Sequence, residues 1–98
     1  MYPGITTRLT RSVVASAATI IAATDVIILT GTTAIDTITP KSMNKSGQDQ
    51  LAFFIPTDGT VATTTNGNVV AAQTMLQNRV TTMVWDAILG KWYPHALS

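Results

Sequence analysis

Hydrophobic residues in this chain occur in short runs that are separated by Gly, Pro, Asn and Asp. The clearest run spans residues 26–29, which are branched and apolar and lie just before Gly31. A run this short and this rich in β-branched residues predicts a buried strand, and the glycine predicts a turn after it. The weaker pattern at residues 35–38 predicts a second strand. We therefore expect residues 25–38 to form a hairpin or a sheet corner whose first strand is buried on both faces.

Two other segments have the same strand-like character, residues 50–55 and residues 79–86. The first of them contains both phenylalanines, so it is expected to form the centre of the core. Asp-Gly at position 58 and Asn-Gly at position 66 predict tight reversals of the chain. These turns separate weaker predicted strands, which span residues 61–65, 69–75 and 91–94.

Residues 13–24 fit two different structures. The stretch is rich in alanine, which favours helix, and its apolar positions approximate a helical stripe. Its Val and Ile pairs favour strands at residues 13–15 and 20–22 instead, and we prefer this alternative. The chain then has about eight short strands, at the spacing typical of all-β proteins. The predicted fold is a compact, all-β antiparallel sandwich or barrel.

The composition indicates that this domain does not stand alone. A chain of 98 residues makes one domain. Only 11% of its residues are charged, whereas a soluble domain usually has about 25%. Unless its many threonines cover the surface of a monomer, we expect other copies or a larger assembly to cover part of it. The net charge of +1 argues against a nucleic-acid partner, and the apolar run at residues 13–23 is too short to cross a membrane.

Few residues of this chain are suited to catalysis or to cofactor binding. It has five aspartates, no glutamate, no cysteine and a single histidine, His95. Asp25 and Asp36 would face each other across the first predicted hairpin, and they are the one carboxylate pair that the pattern suggests. Acid–base chemistry needs several such groups in a cleft, and transition metals need clustered His or Cys ligands. We therefore predict no enzymatic activity, no cofactor and no metal site.

The N-terminal residues predict an irregular segment, because proline and glycine occur at its start. Residues 1–12 are expected to form an anchoring arm, and residues 13–98 a single β domain. Tyr2, Arg8 and Arg11 are the candidate contact residues of this arm. The two arginines are either solvated charges or contacts with an acidic partner surface.

Three aromatic residues near the C-terminus, Trp85, Trp92 and Tyr93, form a second candidate site. The two tryptophans flank a predicted hairpin, so they are expected to lie near each other across it. Aromatic side chains near a β-edge can stack on sugar rings. Trp and Tyr are also enriched at subunit interfaces. The pattern therefore allows either a glycan-stacking site or hairpin packing and a subunit interface.

Four segments follow one another in an order that is found in a known family. They are Thr30-Gly31-Thr32-Thr33 with Ile35-Asp36-Thr37-Ile38, Gly47-Gln48 before Leu51-Ala52-Phe53-Phe54-Ile55, Val80-Thr81-Thr82-Met83-Val84-Trp85-Asp86, and Gly90-Lys91-Trp92-Tyr93. This order resembles a small β-domain of bacteriophage virion proteins, which occurs in capsid decoration (cement) proteins and at the ends of tail fibres and tailspikes. The chain departs from the family pattern in the loop at residues 41–46 and in the turn at residues 87–90.

The resemblance implies an intertwined homotrimer that belongs to a phage particle. A tail fibre needs a shaft, yet the domain spans the whole sequence and no heptad or collagen-like repeat is present. The expected function is therefore a capsid decoration protein on the outer surface of the phage head, which it stabilises. Its partners would be two further copies and the major capsid protein, with no nucleic acid and no membrane. The alternatives are a receptor- or glycan-binding tip of a tail fibre, or a tail adaptor.

Overall fold

The computed structural model describes residues 9–41 and 48–95. Within these ranges the protein is all-β and contains no helix, which confirms the predicted class. The nine strands are β1 (Arg11–Ala15), β2 (Thr19–Ile21), β3 (Val26–Thr30), β4 (Thr37–Thr39), β5 (Gln50–Pro56), β6 (Val61–Thr63), β7 (Gln73–Met75), β8 (Thr81–Asp86) and β9 (Lys91–Pro94).

The N-terminal half of the chain passes back and forth between the five-stranded sheet and the smaller sheets. We call each such pass a coil: β1–β2 is the first, β3–β4 the second and β5–β6 the third. Strands β1, β3 and β5 lie side by side and parallel in a five-stranded sheet. Strands β2 and β4 form a second, parallel pair. A parallel bridge between Ile35 and Thr63 joins the second coil to the third. The prediction of an antiparallel fold is wrong for this half. After each strand the chain crosses to a different sheet and then comes back to pair in parallel with the strand it left.

The C-terminal half closes the five-stranded sheet with antiparallel strands. Strand β8 pairs with β5, and β9 pairs with β8, so the strand order is β1-β3-β5-β8-β9. Strands β6 and β7 form a separate antiparallel pair. Trp85 lies directly opposite Trp92 across β8 and β9, and this confirms the predicted proximity of the two tryptophans.

The turn at Gly31 makes a corner between sheets, because β3 and β4 have different partners. Gly31 has a φ of 71°, a conformation that glycine adopts at little cost. Its backbone N–H donates to Asp58 Oδ2 at 2.7 Å. Asp58 therefore links two successive corners of the coil, and the hairpin predicted at Asp58-Gly59 is wrong, since β5 and β6 do not pair.

The ambiguous segment at residues 13–24 contains strands β1 and β2, which confirms the preferred alternative. Strand β3 is fully buried on one face only, whereas Val26, Ile28 and Thr30 on its other face are half-buried. The prediction that this strand is buried on both faces is therefore wrong. The core lies inside the coils, where it is made of buried apolar side chains. They are Ile20, Ala22, Ile27, Leu29, Ile35, Ile38, Ala52, Phe54, Val61, Val69, Met75, Met83 and Trp92.

Candidate functional site

The two faces of the five-stranded sheet differ in burial. Successive residues of a strand point to opposite faces. Ile27, Phe54 and Met83 represent the inner face, which packs into the core. On each strand, the residues that alternate with these inner ones lie on the opposite side of the sheet, which we call the outer face. This outer face is made of Arg11, Val13, Val26, Ile28, Leu51, Phe53, Ile55, Thr82, Val84 and Tyr93.

Strand register arranges the outer face in rows of apolar side chains. Val13 is level with Ile28, and Ile28 with Ile55. In a second row, Leu51 is level with Val84, and Val84 with Tyr93. Side chains level with each other on adjacent strands are in contact distance. Phe53 lies between Ile55 and Leu51 on the same face of β5, so it joins the two rows into an apolar surface that reaches all five strands.

The outer face is partly exposed: some of its apolar side chains are open to solvent, whereas Ile28, Phe53 and Ile55 are half-buried. Val13 is 68% exposed, Leu51 48% and Val84 45%. Five strands spaced about 4.8 Å apart make the face roughly 20 Å wide. Apolar patches of this scale are typically sites of contact with another molecule.

Among the residues that the structure describes, those with a charge lie at the margins of the outer face and not at its centre. Arg11 is at the β1 edge, and Asp86 and Lys91 lie opposite each other at the end of β8 and β9. An apolar centre with a charged rim is the usual composition of a protein–protein interface. The arrangement is suited to packing against another folded surface.

The predicted aromatic residues occupy three different environments. Trp92 is fully buried, donates from Nε1 to the Ile38 carbonyl at 2.8 Å and meets the Phe54 ring edge-on. It therefore has no exposed ring face to present to a ligand. Trp85 is half-buried against Trp92, with 5.4 Å between the ring centroids. Tyr93 is 39% exposed and lies on the outer face.

A pocket of about 230 Å³ borders Trp85 and the polar residues Asp25, Lys41 and Gln50. Asp25 accepts a hydrogen bond from Lys41 Nζ at 3.0 Å. This bond, together with one from the Thr10 backbone N–H, lowers the pKa of the Asp25 carboxyl below its ordinary value. Gln50 accepts from the Lys41 backbone and donates to the carbonyl of Ala22. These polar side chains are therefore engaged with one another or with the backbone.

The other candidate residues do not converge on a common centre. Asp36 accepts from Thr64 Oγ1 at 2.6 Å and does not share partners with Asp25. His95 is exposed. Among residues 9–41 and 48–95, no group of three metal-binding side chains comes together. No helix in this part of the chain is long and apolar enough to cross a membrane.

The contact residues of the predicted arm are only partly visible. Arg11 is the first residue of β1 and is exposed. Tyr2 and Arg8 lie outside the described residues. The outer face was not predicted as a site. The sequence does contain a signal for it, because residues 51, 53 and 55 are apolar and lie on the same face of a strand.

Comparison with known proteins gives no relative of this chain: no family model, no curated protein and no solved structure matches it. Its function must therefore be argued from its own surface.

Proposed function

We propose that this protein is a structural subunit that assembles into a homotrimer through the outer face of its five-stranded sheet. The observation behind the proposal is the exposed apolar surface built by Val13, Leu51, Val84 and their neighbours. Burying such a surface stabilises an assembly by about 25 cal/mol for each Å² of apolar area removed from water.

Another copy of the chain suits this surface for two reasons. Only 11% of the residues are charged, so two copies can bury apolar surface against each other without removing many charges from water. The outer face also has charges of both signs at its rim, Arg11 and Lys91 against Asp86, so identical surfaces can meet without a net repulsion. The number three comes from the resemblance to trimeric virion domains.

We further propose that the trimer is a capsid decoration protein of a bacteriophage. The four ordered segments from Thr30-Gly31-Thr32-Thr33 to Gly90-Lys91-Trp92-Tyr93 resemble the small β-domain of phage virion proteins, and this resemblance supports the proposed location. On this proposal the trimer binds the outer surface of the head through residues 1–12 and links neighbouring subunits of the major capsid protein. Its action is mechanical, and its structure contributes rigidity rather than catalysis.

The first test is the solution mass of the purified protein by light scattering. A trimer has three times the 10.4 kDa of one chain, and an assembly of several trimers has a multiple of that mass. Val84→Asp places a charge on the outer face and should reduce the mass to one third of the wild-type value. Ile21→Asp is the matched control, because Ile21 is also an exposed apolar residue, 57% against 45% for Val84, and lies on a strand of another sheet. A monomeric wild type, or a Val84→Asp variant that keeps the wild-type mass, would contradict the assembly.

The second test is co-sedimentation of the trimer with empty capsids of the source phage. Deletion of residues 1–9, which stops short of β1, should abolish sedimentation with capsids while leaving the mass of the assembly unchanged. Capsid binding that survives the deletion would show that the arm is not the anchor.

A glycan-binding tip remains the second candidate, and the half-buried Trp85 at the edge of a pocket favours it. In that case Trp85→Ala should abolish binding to host cells or to a glycan array without changing the oligomer. Trp92→Ala is unsuitable for this test, since Trp92 is part of the core. A tail adaptor would instead co-purify with tails and not with heads.

A further inference from the structure

Among the strands that the structure describes, β1 is the outermost of the five-stranded sheet and pairs with β3 alone. The bonds at its two ends show which backbone groups face β3. Val26 N–H donates to the Thr10 carbonyl at 2.9 Å, and Ser16 N–H donates to the Thr30 carbonyl at 2.8 Å. In a parallel ladder the bonding residues alternate. The N–H and C=O groups of Arg11, Val13 and Ala15 therefore point away from the sheet.

Nothing in residues 9–41 and 48–95 bonds to these outward-facing groups of β1. The opposite edge of the sheet is different. There, the N–H of Trp92 donates to Asn68 and its C=O accepts from Val70, so residues 68–70 cover β9. The sheet is thus covered at its β9 edge, and its β1 edge can still pair.

Strand β1 also lacks the features by which proteins usually protect an edge. Such features are proline, lysine, a bulge or very short length. β1 is a regular five-residue strand with the sequence Arg-Ser-Val-Val-Ala, and Arg11 is its one charge. A strand of this kind is a template for pairing with another strand.

We infer that β1 pairs with β1 of a second copy, in antiparallel orientation, about a two-fold axis at Val13. The outward-facing residues are placed symmetrically around Val13, so Val13 would face Val13 of the partner subunit. Arg11 would then face Ala15 of the partner subunit, and the reverse pair would form at the other end. Each of these three pairs can exchange two backbone hydrogen bonds.

The charge of Arg11 selects the antiparallel orientation. A parallel pair would place Arg11 beside Arg11 of the partner subunit, and like charges directly opposite each other destabilise a sheet. The antiparallel pair separates the two arginines by four residues, or roughly 13 Å at strand spacing. It also continues the apolar row of Val13, Ile28 and Ile55 across the joint. The strand is therefore complementary to itself.

This contact uses the edge of the sheet, whereas the proposed trimer uses its outer face. The two surfaces can be tested separately by the mass of the full-length protein. With both contacts present, the mass corresponds to six chains. Val13→Pro should reduce it to three chains, and Val84→Asp should reduce it to two.

Val13→Pro is the decisive variant, because it removes an N–H that points away from the sheet. Proline is tolerated at such edge positions. Val13→Ala is the matched control, since it shortens the same side chain but keeps the N–H, and it should keep the wild-type mass. Val14→Pro removes an N–H on the β3 side and should unfold the protein, which a circular dichroism melt would detect.

The possible masses separate the two proposals. Six chains reduced to three by Val13→Pro support both contacts. Two chains reduced to one by Val13→Pro support the edge pairing and contradict the trimer. If the wild type has the mass of three chains and folded Val13→Pro has the same mass, the edge pairing is overturned and the trimer stands. A monomeric wild type overturns both, even if β1 then pairs with a strand of another protein.

Discussion

The side chain of Asn68 bonds both backbone groups of Ile38. Its Oδ1 accepts from the Ile38 N–H at 2.9 Å, and its Nδ2 donates to the Ile38 C=O at 2.7 Å. An amide side chain thus takes the place that a neighbouring strand would occupy beside β4. Because Ile38 is fully buried, its backbone could not turn to water instead.

Replacing Asn68 by alanine should destabilise the fold. In this variant the Ile38 carbonyl still accepts from Trp92 Nε1, whereas the buried N–H of Ile38 loses its hydrogen-bond partner. An unsatisfied buried group costs about 1–3 kcal/mol. Asn66→Ala is the control, because Asn66 is exposed and should change the free energy of unfolding by less than about 0.5 kcal/mol. Urea denaturation of both variants measures the difference, and equal values would contradict this role of Asn68.

Trp92→Ala should be among the most destabilising single substitutions in the chain. The side chain is fully buried and packs edge-on against Phe54. Truncating a buried tryptophan costs about 3–5 kcal/mol. Trp85→Ala should cost less, because Trp85 is half-buried. The two unfolding free energies, measured side by side, test this order, and a larger loss in Trp85→Ala would reverse the assignment of the core tryptophan.

Gly67→Ala should destabilise the protein even though Gly67 is on a turn. An added Cβ would clash with the backbone carbonyl of Asp36, which cannot move without moving the coil. Such overpacking typically costs about 1–3 kcal/mol. Gly59→Ala is the comparison, because its nearest neighbour would be the Thr32 methyl at 2.8 Å, on a side chain that can rotate. We expect a lower melting temperature for Gly67→Ala than for Gly59→Ala, and the opposite order would be inconsistent with this packing.

Acid should weaken the contact between Asp25 and Lys41. The hydrogen bond from Lys41 lowers the pKa of the Asp25 carboxyl below its ordinary value of 3.8. A carboxyl whose pKa is lowered by folding stabilises the protein above its unfolded-state pKa, and this contribution is lost as the pH falls through the folded-state value. Asp25→Asn should therefore reduce the loss of stability that occurs as the pH falls below 3.8.

The effect at Asp25 should be small and sensitive to salt. The side chains of Lys41 and Asp25 are 43% and 27% exposed, so solvent screens their attraction. Thermal melts of wild type and Asp25→Asn at low and high salt measure it. A difference between the two proteins that persists unchanged in high salt would show that Asp25 acts through another contact.

Sequence patterns predicted where the strands are better than how they pair. The apolar runs located β3, β5 and β8, and turn residues separated them, because side-chain burial leaves a local signal. Pairing depends on which distant segments come together. The Asp58-Gly59 turn shows the difference, since its local chemistry is typical of a hairpin but its carboxylate bonds to Gly31 in the preceding coil.

The candidate site was predicted only in part, and for a similar reason. Low charge indicated a covered surface, but not which one. The outer face became visible only when the register placed Val13, Ile28 and Ile55 in one row. The aromatic pattern allowed either a glycan-stacking site or hairpin packing and a subunit interface, and it could not show that Trp92 is buried against Asn68 and Phe54 from other parts of the chain. A single-sequence pattern does not contain such long-range contacts.

The join between the second and third coils has a consequence for protein engineering. The chain needs more residues to pass from β3 to β5 than from β1 to β3, yet the ladder between β3 and β5 stays regular. The backbone N–H of Lys41 donates to the Gln50 side chain at 2.6 Å, so Gln50 at the start of β5 lies beside Lys41. Because these two residues are held next to each other, extra peptide between them need not change the strand register. This position is therefore a natural place to display a foreign epitope.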